Sequence, residues 1–286
     1  MSKTNEQLLL DYKKSNKERR KAILEKAGFV SEQKYISWLL GSEEDEVATD
    51  MLDQVIAFDT TGSMGGFITA VKQHIKELIP KLFAENPSLR LKIVAFGDYA
   101  DMPNATTFGN AYQDSGLSND ANQLISFVER AQNTGGDDAD EFYELVIKKV
   151  VEETPWREGS KRALLLIGDC GPHQVGYTCA GKVTGAQIDW KEEAGKAVGL
   201  GIQIDTLNCG SGCVETFYKP LSFMTDGINL PFSSQSKTQE AIYAVTSVRG
   251  SSTSKMAFMT SSMSDSVRGD AELSATYDAL YKKLVD

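Results

Sequence analysis

The sequence predicts an α/β fold: a doubly wound, mostly parallel central sheet with helices on both faces, preceded by an N-terminal helical arm and followed by a C-terminal tail helix. Three observations predict it. From about residue 52 to about residue 248, short apolar runs alternate with longer amphipathic stretches, the signature of βαβ units. The apolar runs are apolar almost throughout rather than at every second position, as in strands covered on both faces. Several of these runs also stop at an oxygen-bearing side chain, where open α/β sheets carry their working sites, outside the carboxyl ends of the strands.

Residues 4–27, rich in Lys, Glu, Arg and Leu, predict a polar helix ended by Gly28, and Ile36, Leu39 and Leu40 mark the apolar face of a second, shorter one. The charged run GSEEDE at 41–46 reads as a linker, so the arm is assigned to residues 1–48 and the main domain to 49–250. Within that domain, LDQVIAFD (52–59) predicts a strand. A helix over 65–84 carries Phe67, Val71, Ile75, Leu78, Ile79 and Leu82 on one face, and LRLKIVAFGD (89–98) predicts the next strand. Helical patterns recur near 120–131 and 139–152. ALLLIGD (163–169), the most apolar run, predicts a central strand. A helix over 187–199, a strand at 201–209, a helical turn at 217–224, a short strand at 228–232 and a helix at 235–248 complete the domain. Residues 251–266, dominated by Ser and Thr, read as a linker. Leu273, Tyr277, Leu280 and Leu284 form the apolar stripe of a terminal helix expected to dock on the domain itself.

Composition narrows the function classes. The 286 residues suffice for a sizeable core, and 41% apolar with 24% charged residues is ordinary for a globular protein. A net charge of -10 disfavours general nucleic-acid binding. The basic stretch from Lys13 to Lys21 is expected to be a solvated helix face. No apolar run approaches the roughly 20 residues of a membrane span. The N-terminus lacks the apolar core and cleavage site of a signal peptide, so a cytoplasmic protein is expected, with its four cysteines as thiols.

Three strand ends carry the chemistry. They are Asp59-Thr60-Thr61-Gly62-Ser63-Met64 after the first strand, Thr134-Gly135-Gly136-Asp137-Asp138 after an intermediate helix, and Gly168-Asp169 after the central apolar strand. Carboxylates and hydroxyls without interleaved Cys or His suit a hard cation, Mg2+ before Mn2+ or Ca2+. Taken alone, Asp, Thr, Ser and Gly after a strand also suit a helix cap.

Asp59-x-Thr61-x-Ser63 resembles the first loop of the metal-ion-dependent adhesion site of von Willebrand factor type A (vWA) domains. FDTTGSM is similar to the intracellular and microbial branch of that family. Gly135-Gly136-Asp137, followed by a helix with Glu141, resembles the branch's second loop. LLLIGDCGPH (164–173) resembles the third loop, as in the vWA domains of alpha-kinase-like proteins, and FYKPLSFMTDGINLPF (217–232) resembles the penultimate helix and last strand. The resemblance covers about residues 50–250.

It implies a vWA/Rossmann-like sheet and a divalent-metal-dependent protein–protein interaction module. Thr61 and Ser63 would ligate the ion directly. Asp59 and Asp169 would act directly or through water, and an Asp or Glu of a protein partner would complete the coordination. The second-loop ligand is Asp137, where many members carry Thr, or else Thr134; an aspartate there would lower the ion's pull on an acidic partner. Asp59→Ala is expected to abolish metal binding and spare the fold.

Other signals are weaker. Cys170, His173, Cys179, Cys209 and Cys213 invite a zinc or disulfide reading, but their spacing matches no standard zinc site and buried thiols are common. No nucleophile–base pair or phosphate-binding loop is present, so the chain is expected not to be an enzyme. Two alternatives are a metal-dependent hydrolase using Asp59 and Asp169, with Asp137, Asp138 or Asp140 as base, and a structural component of a virion or multi-protein assembly that binds through its terminal segments. The oligomeric state is open.

Overall fold

A computed structural model describes residues 51–183, 185–233 and 237–250, together with residues 19, 23, 271, 274, 275 and 277–279. The expected arm, apart from those two positions, and the Ser/Thr-rich linker lie outside the described residues.

The chain runs β1 (Leu52–Asp59), α1 (Gly65–Glu85), β2 (Arg90–Phe96), β3 (Tyr112–Asp114), α2 (Ala121–Arg130), β4 (Asp140–Glu141) and α3 (Tyr143–Glu153). It continues through β5 (Lys161–Gly168), β6 (Gly171–Pro172), α4 (Trp190–Gly199) and β7 (Ile202–Asn208). A π-helical turn, Val214–Tyr218, leads into α5 (Lys219–Met224), followed by β8 (Asn229–Pro231) and α6 (Thr238–Gly250). The main sheet has the order β3-β2-β1-β5-β7-β8. All its pairings are parallel except β2 with β3. The expected doubly wound α/β architecture is therefore the observed one.

Two apolar layers explain the winding. β1 is buried along its whole length. Its Leu52, Ile56 and Phe58 enter one layer with residues of α1, α2 and α6, while Val55 and Ala57 enter the other with α3, α4 and α5. The alternation follows from the period-2 geometry of a strand with a helix layer on each side. Tyr277 is buried and joins the first layer, with Ala279 packed against it, which places this part of the tail on the domain. The amino end of β1 is anchored by Asp53, fully buried and paired with Arg90 and Arg157 at 2.7 Å each.

Two features differ from the sequence reading. The 139–152 segment begins with strand β4, not helix, so Glu141 lies on a strand and the helix starts at Tyr143. β4 pairs in parallel with β6, with Asp140 opposite Gly171 and Glu141 opposite Pro172. The second difference is the antiparallel edge strand β3, only three residues long and mostly polar. Neither short element offers the periodicity by which strands are read.

Candidate functional site

β1 lies between β2 and β5, and the winding direction reverses between β1 and β5, which creates the crevice in which open α/β sheets bind ligands. The register sets Phe58 opposite Ile167, so both strands end level, with Asp59 closing β1 and Asp169 following β5. Ser63 bridges the two ends: its Oγ donates to Asp169 Oδ1 at 3.2 Å.

Asp59 is fully buried. Its Oδ1 accepts from the Thr61 backbone N–H at 2.7 Å and the Thr61 hydroxyl at 2.6 Å. Its Oδ2 accepts from the Tyr143 hydroxyl at 2.7 Å. The first two bonds make the tight turn that carries the chain from β1 into α1. The neighbouring Thr60 points elsewhere. Its hydroxyl donates to the Phe96 carbonyl at 2.8 Å, so the 2.9 Å contact between the Thr60 and Thr134 hydroxyls has Thr134 as donor.

The Gly-Gly loop is held from below. Asp101 Oδ1 accepts from the Gly135 N–H at 2.8 Å, and Asp101 Oδ2 accepts from the Gly136 N–H at 3.2 Å and the Asp98 N–H at 3.0 Å. Gly136 has φ +68°, and a Cβ there would stand 2.9 Å from Glu141 Oε1. Glycine is thus required twice at this position, for its dihedral and for the close approach of a carboxylate. Asp137 is exposed and makes no hydrogen bond among the described residues, while Asp138 accepts from the Tyr177 hydroxyl at 2.9 Å.

The structure therefore brings Asp59, Thr61, Ser63 and Asp169 together at the β1/β5 crevice, with Thr134 and Asp137 on the adjoining loop. It adds Tyr143, Asp101 and Glu141. Of these the sequence pointed only to Glu141, as a helix residue; no local pattern marks a tyrosine or an aspartate that supports another loop.

Electrostatics make this cluster unusual. Burial, with the charge of Asp169 adding to it, pushes the Asp59 carboxyl up to about 6 against the pull of its Thr61 and Tyr143 hydrogen bonds. Burial, then the charges of Asp59, Asp98 and Asp101, pushes Glu141 up to about 9. Glu141 Oε2 is buried without a hydrogen-bond partner. Such crowding of carboxylates beside hydroxyls suits a hard divalent cation, which would offset the repulsion and accept only oxygen donors. The hydroxyls are also correctly disposed in one respect. Thr61 and Ser63 each spend their single proton on a carboxylate, which leaves oxygen lone pairs free for an ion.

The sulfur-rich alternative does not assemble. The loops after β5 and β7 are adjacent, and a Cβ on Gly171 would stand 2.6 Å from Cys213 Sγ. His173, however, is turned to Asp98, with Nε2 2.5 Å from Oδ1. Burial and the adjacent Asp169 raise the Cys170 thiol well above its ordinary range, opposing the thiolate that zinc requires. Among the described residues no group of three or more His, Cys, Asp or Glu side chains converges as metal ligands, and all four cysteines are free. Among the same residues, no helix is long and apolar enough to cross a membrane.

No family model matches the chain, and no curated protein matches it in sequence. Among solved structures it is similar to an aerotolerance-related membrane protein from Bacteroides fragilis, with 17% identity and a TM-score of 0.44 over 68% of this chain and 98% of that one. It is also similar to proximal thread matrix protein 1 of the mussel byssus, with 14% identity and a TM-score of 0.48 over 68% of this chain and 47% of that one. The chain thus spans about half the length of the mussel protein. Likeness of this degree carries no weight for function.

Proposed function

We propose that the β1/β5 crevice is a metal-ion-dependent adhesion site of the vWA type, and that the protein is a binding module rather than an enzyme. Thr61 and Ser63 would hold Mg2+, or Mn2+ or Ca2+, directly. Asp59 and Asp169 would hold it directly or through water, and Asp137 or Thr134 from the Gly-Gly loop. A bound divalent ion would supply a Lewis-acidic position for an Asp or Glu of a protein partner. The observation that carries this reading is the pairing of Thr61 with Asp59 and of Ser63 with Asp169, two hydroxyl–carboxylate pairs at the carboxyl ends of the strands that flank the switch point.

The chain's own residues do the positioning. Tyr143 and the Thr61 backbone hold Asp59 still, Asp101 holds the Gly-Gly loop, and β4–β6 pairing ties that loop to the segment after Asp169. Isothermal titration with Mg2+ and Mn2+ tests the first half of the proposal: saturable binding to the wild type, lost in Ser63→Ala and Asp169→Asn, is expected. Titration with glutarate as a stand-in for an acidic side chain tests the second half, with binding expected only when the metal is present. Wild-type and variant heats that cannot be told apart would overturn the site. Glutarate binding that persists in a chelator would overturn its role.

A further inference from the structure

A second polar site lies beside the crevice and serves none of the functions above. Between the α3 amino end, the segment after β2 and residues 173–183 and 185–188 is a cavity of about 180 Å³. Tyr99, Met102, Phe108, Leu145, Tyr177 and Ile188 form much of its wall. Glu144 and His173 also face it, although both are almost completely buried.

Glu144 is a buried carboxylate with spare capacity. Oε1 accepts from the Tyr99 hydroxyl at 2.8 Å and Oε2 from the His173 backbone N–H at 3.2 Å. Each oxygen of an ionised carboxylate can accept about two hydrogen bonds, so both retain room for a donor. Burial pushes this carboxyl up to about 7 despite those bonds, the mark of a charge short of compensation.

The surroundings favour a cation. His173 is stacked on Tyr177, with ring centroids 3.6 Å apart, and is matched by Asp98 at 2.5 Å. Lys182, at the rim, gives its ammonium to the Ala100 carbonyl at 2.5 Å. Asp138 and Asp140 also act on this group from β4 and the loop before it. Of the charged groups that line the cavity, Lys182 is thus engaged by the Ala100 carbonyl and His173 by Asp98, whereas Glu144 has only neutral donors, the Tyr99 hydroxyl and a backbone N–H. An anionic ligand would meet the Glu144 carboxylate, whereas a cation would offset it and lie between tyrosine and phenylalanine rings.

We infer that this cavity binds a primary ammonium group carried on a short apolar stem, with Glu144 as its acceptor and the Tyr99, Phe108 and Tyr177 rings around the stem. The same chemistry comes from a free alkylamine or from a lysine side chain of a protein partner. The inference is independent of the metal site.

The test is a titration of the full chain, followed by NMR or calorimetry, with n-butylammonium, n-butanol and butyrate. Butylammonium is expected to bind about tenfold or more tightly than butanol, butyrate not at all, and the preference to be unchanged by a chelator; tenfold corresponds to about 1.4 kcal/mol. Glu144→Gln should abolish the preference for the cation. Ile188→Trp, which fills the cavity from its wall and leaves the Glu144 hydrogen bonds in place, should block both butylammonium and butanol. Nα-acetyl-lysine methylamide separates the sources: binding equal to butylammonium points to a lysine side chain, and loss of binding points to a free amine. Equal affinity for the three probes would overturn the inference, as would butylammonium binding unaltered in Ile188→Trp.

Discussion

The Tyr143 hydroxyl donates to Asp59 Oδ2 across a fully buried 2.7 Å contact, joining the first residue of α3 to the last residue of β1. The space between them is tight. A Cβ on Gly168 would collide with the tyrosine hydroxyl, so the glycine that ends β5 makes room for the support of Asp59.

That contact changes what Asp59 substitutions should do. A carboxylate at a strand end looks dispensable to the core, and Asp59→Ala is expected from sequence to spare the fold. In the structure the change strands three donors, the Thr61 N–H, the Thr61 hydroxyl and the Tyr143 hydroxyl. Each buried donor left unpaired costs about 1–3 kcal/mol. Asp59→Ala should therefore lower the urea midpoint markedly. Asp59→Asn, which keeps an acceptor for Thr61, should retain most stability while losing divalent binding. A titration showing wild-type affinity in Asp59→Asn would exclude this carboxylate from the site.

The second-loop ligand is decided by a pair of variants. If Asp137 ligates the ion, Asp137→Thr removes a negative charge from it and should tighten capture of glutarate in Mg2+. If Thr134 ligates instead, Asp137→Thr should change little and Thr134→Ala should weaken Mg2+ binding. The observed bond from Thr134 to the Thr60 hydroxyl means that Thr134→Ala also loosens the loop, so its unfolding midpoint must be measured alongside.

Gly136→Ala tests whether the Gly-Gly loop is held against Glu141. The residue needs φ +68° and the new Cβ would stand 2.9 Å from Glu141 Oε1. A left-handed dihedral costs an L-residue about 1–2 kcal/mol, and the contact adds to it. Thermal unfolding should show a loss of at least that size together with weaker Mg2+ binding. Gly62→Ala, where a Cβ meets nothing within 4 Å, is the control and should be near neutral for stability.

Stability should depend on pH in an unusual direction. Asp59, Glu141 and Glu144 have folded-state values raised above the ordinary ones, to about 6, about 9 and about 7. The folded state therefore holds protons that the unfolded chain has released. Their contribution is complete below the unfolded values of 3.8 and 4.5 and is lost as pH rises through the folded ones. Without metal, the unfolding midpoint should fall between pH 5 and pH 9, with Glu141 alone of the three still titrating at the alkaline end. Mg2+ should raise it more at pH 8 than at pH 5. A metal-free midpoint that climbs over this range would contradict the crowding of these carboxylates.

Much of this protein was legible in its sequence because the relevant forces are local. Apolar runs such as ALLLIGD can be satisfied only by burial on both faces, and Thr61 follows Asp59 closely enough for its hydroxyl to meet that carboxylate within one turn. What only the tertiary structure decided are relations between distant segments. The β1/β5 adjacency brings Ser63 to Asp169, 106 residues away. The β4–β6 pairing makes Glu141 a strand residue beneath Gly136, and His173 turns to Asp98 rather than to the thiols. The reason is physical: a buried polar group must find a partner or repay its desolvation, and the partner it finds is whatever the packed chain brings within about 3 Å, without regard to separation in sequence.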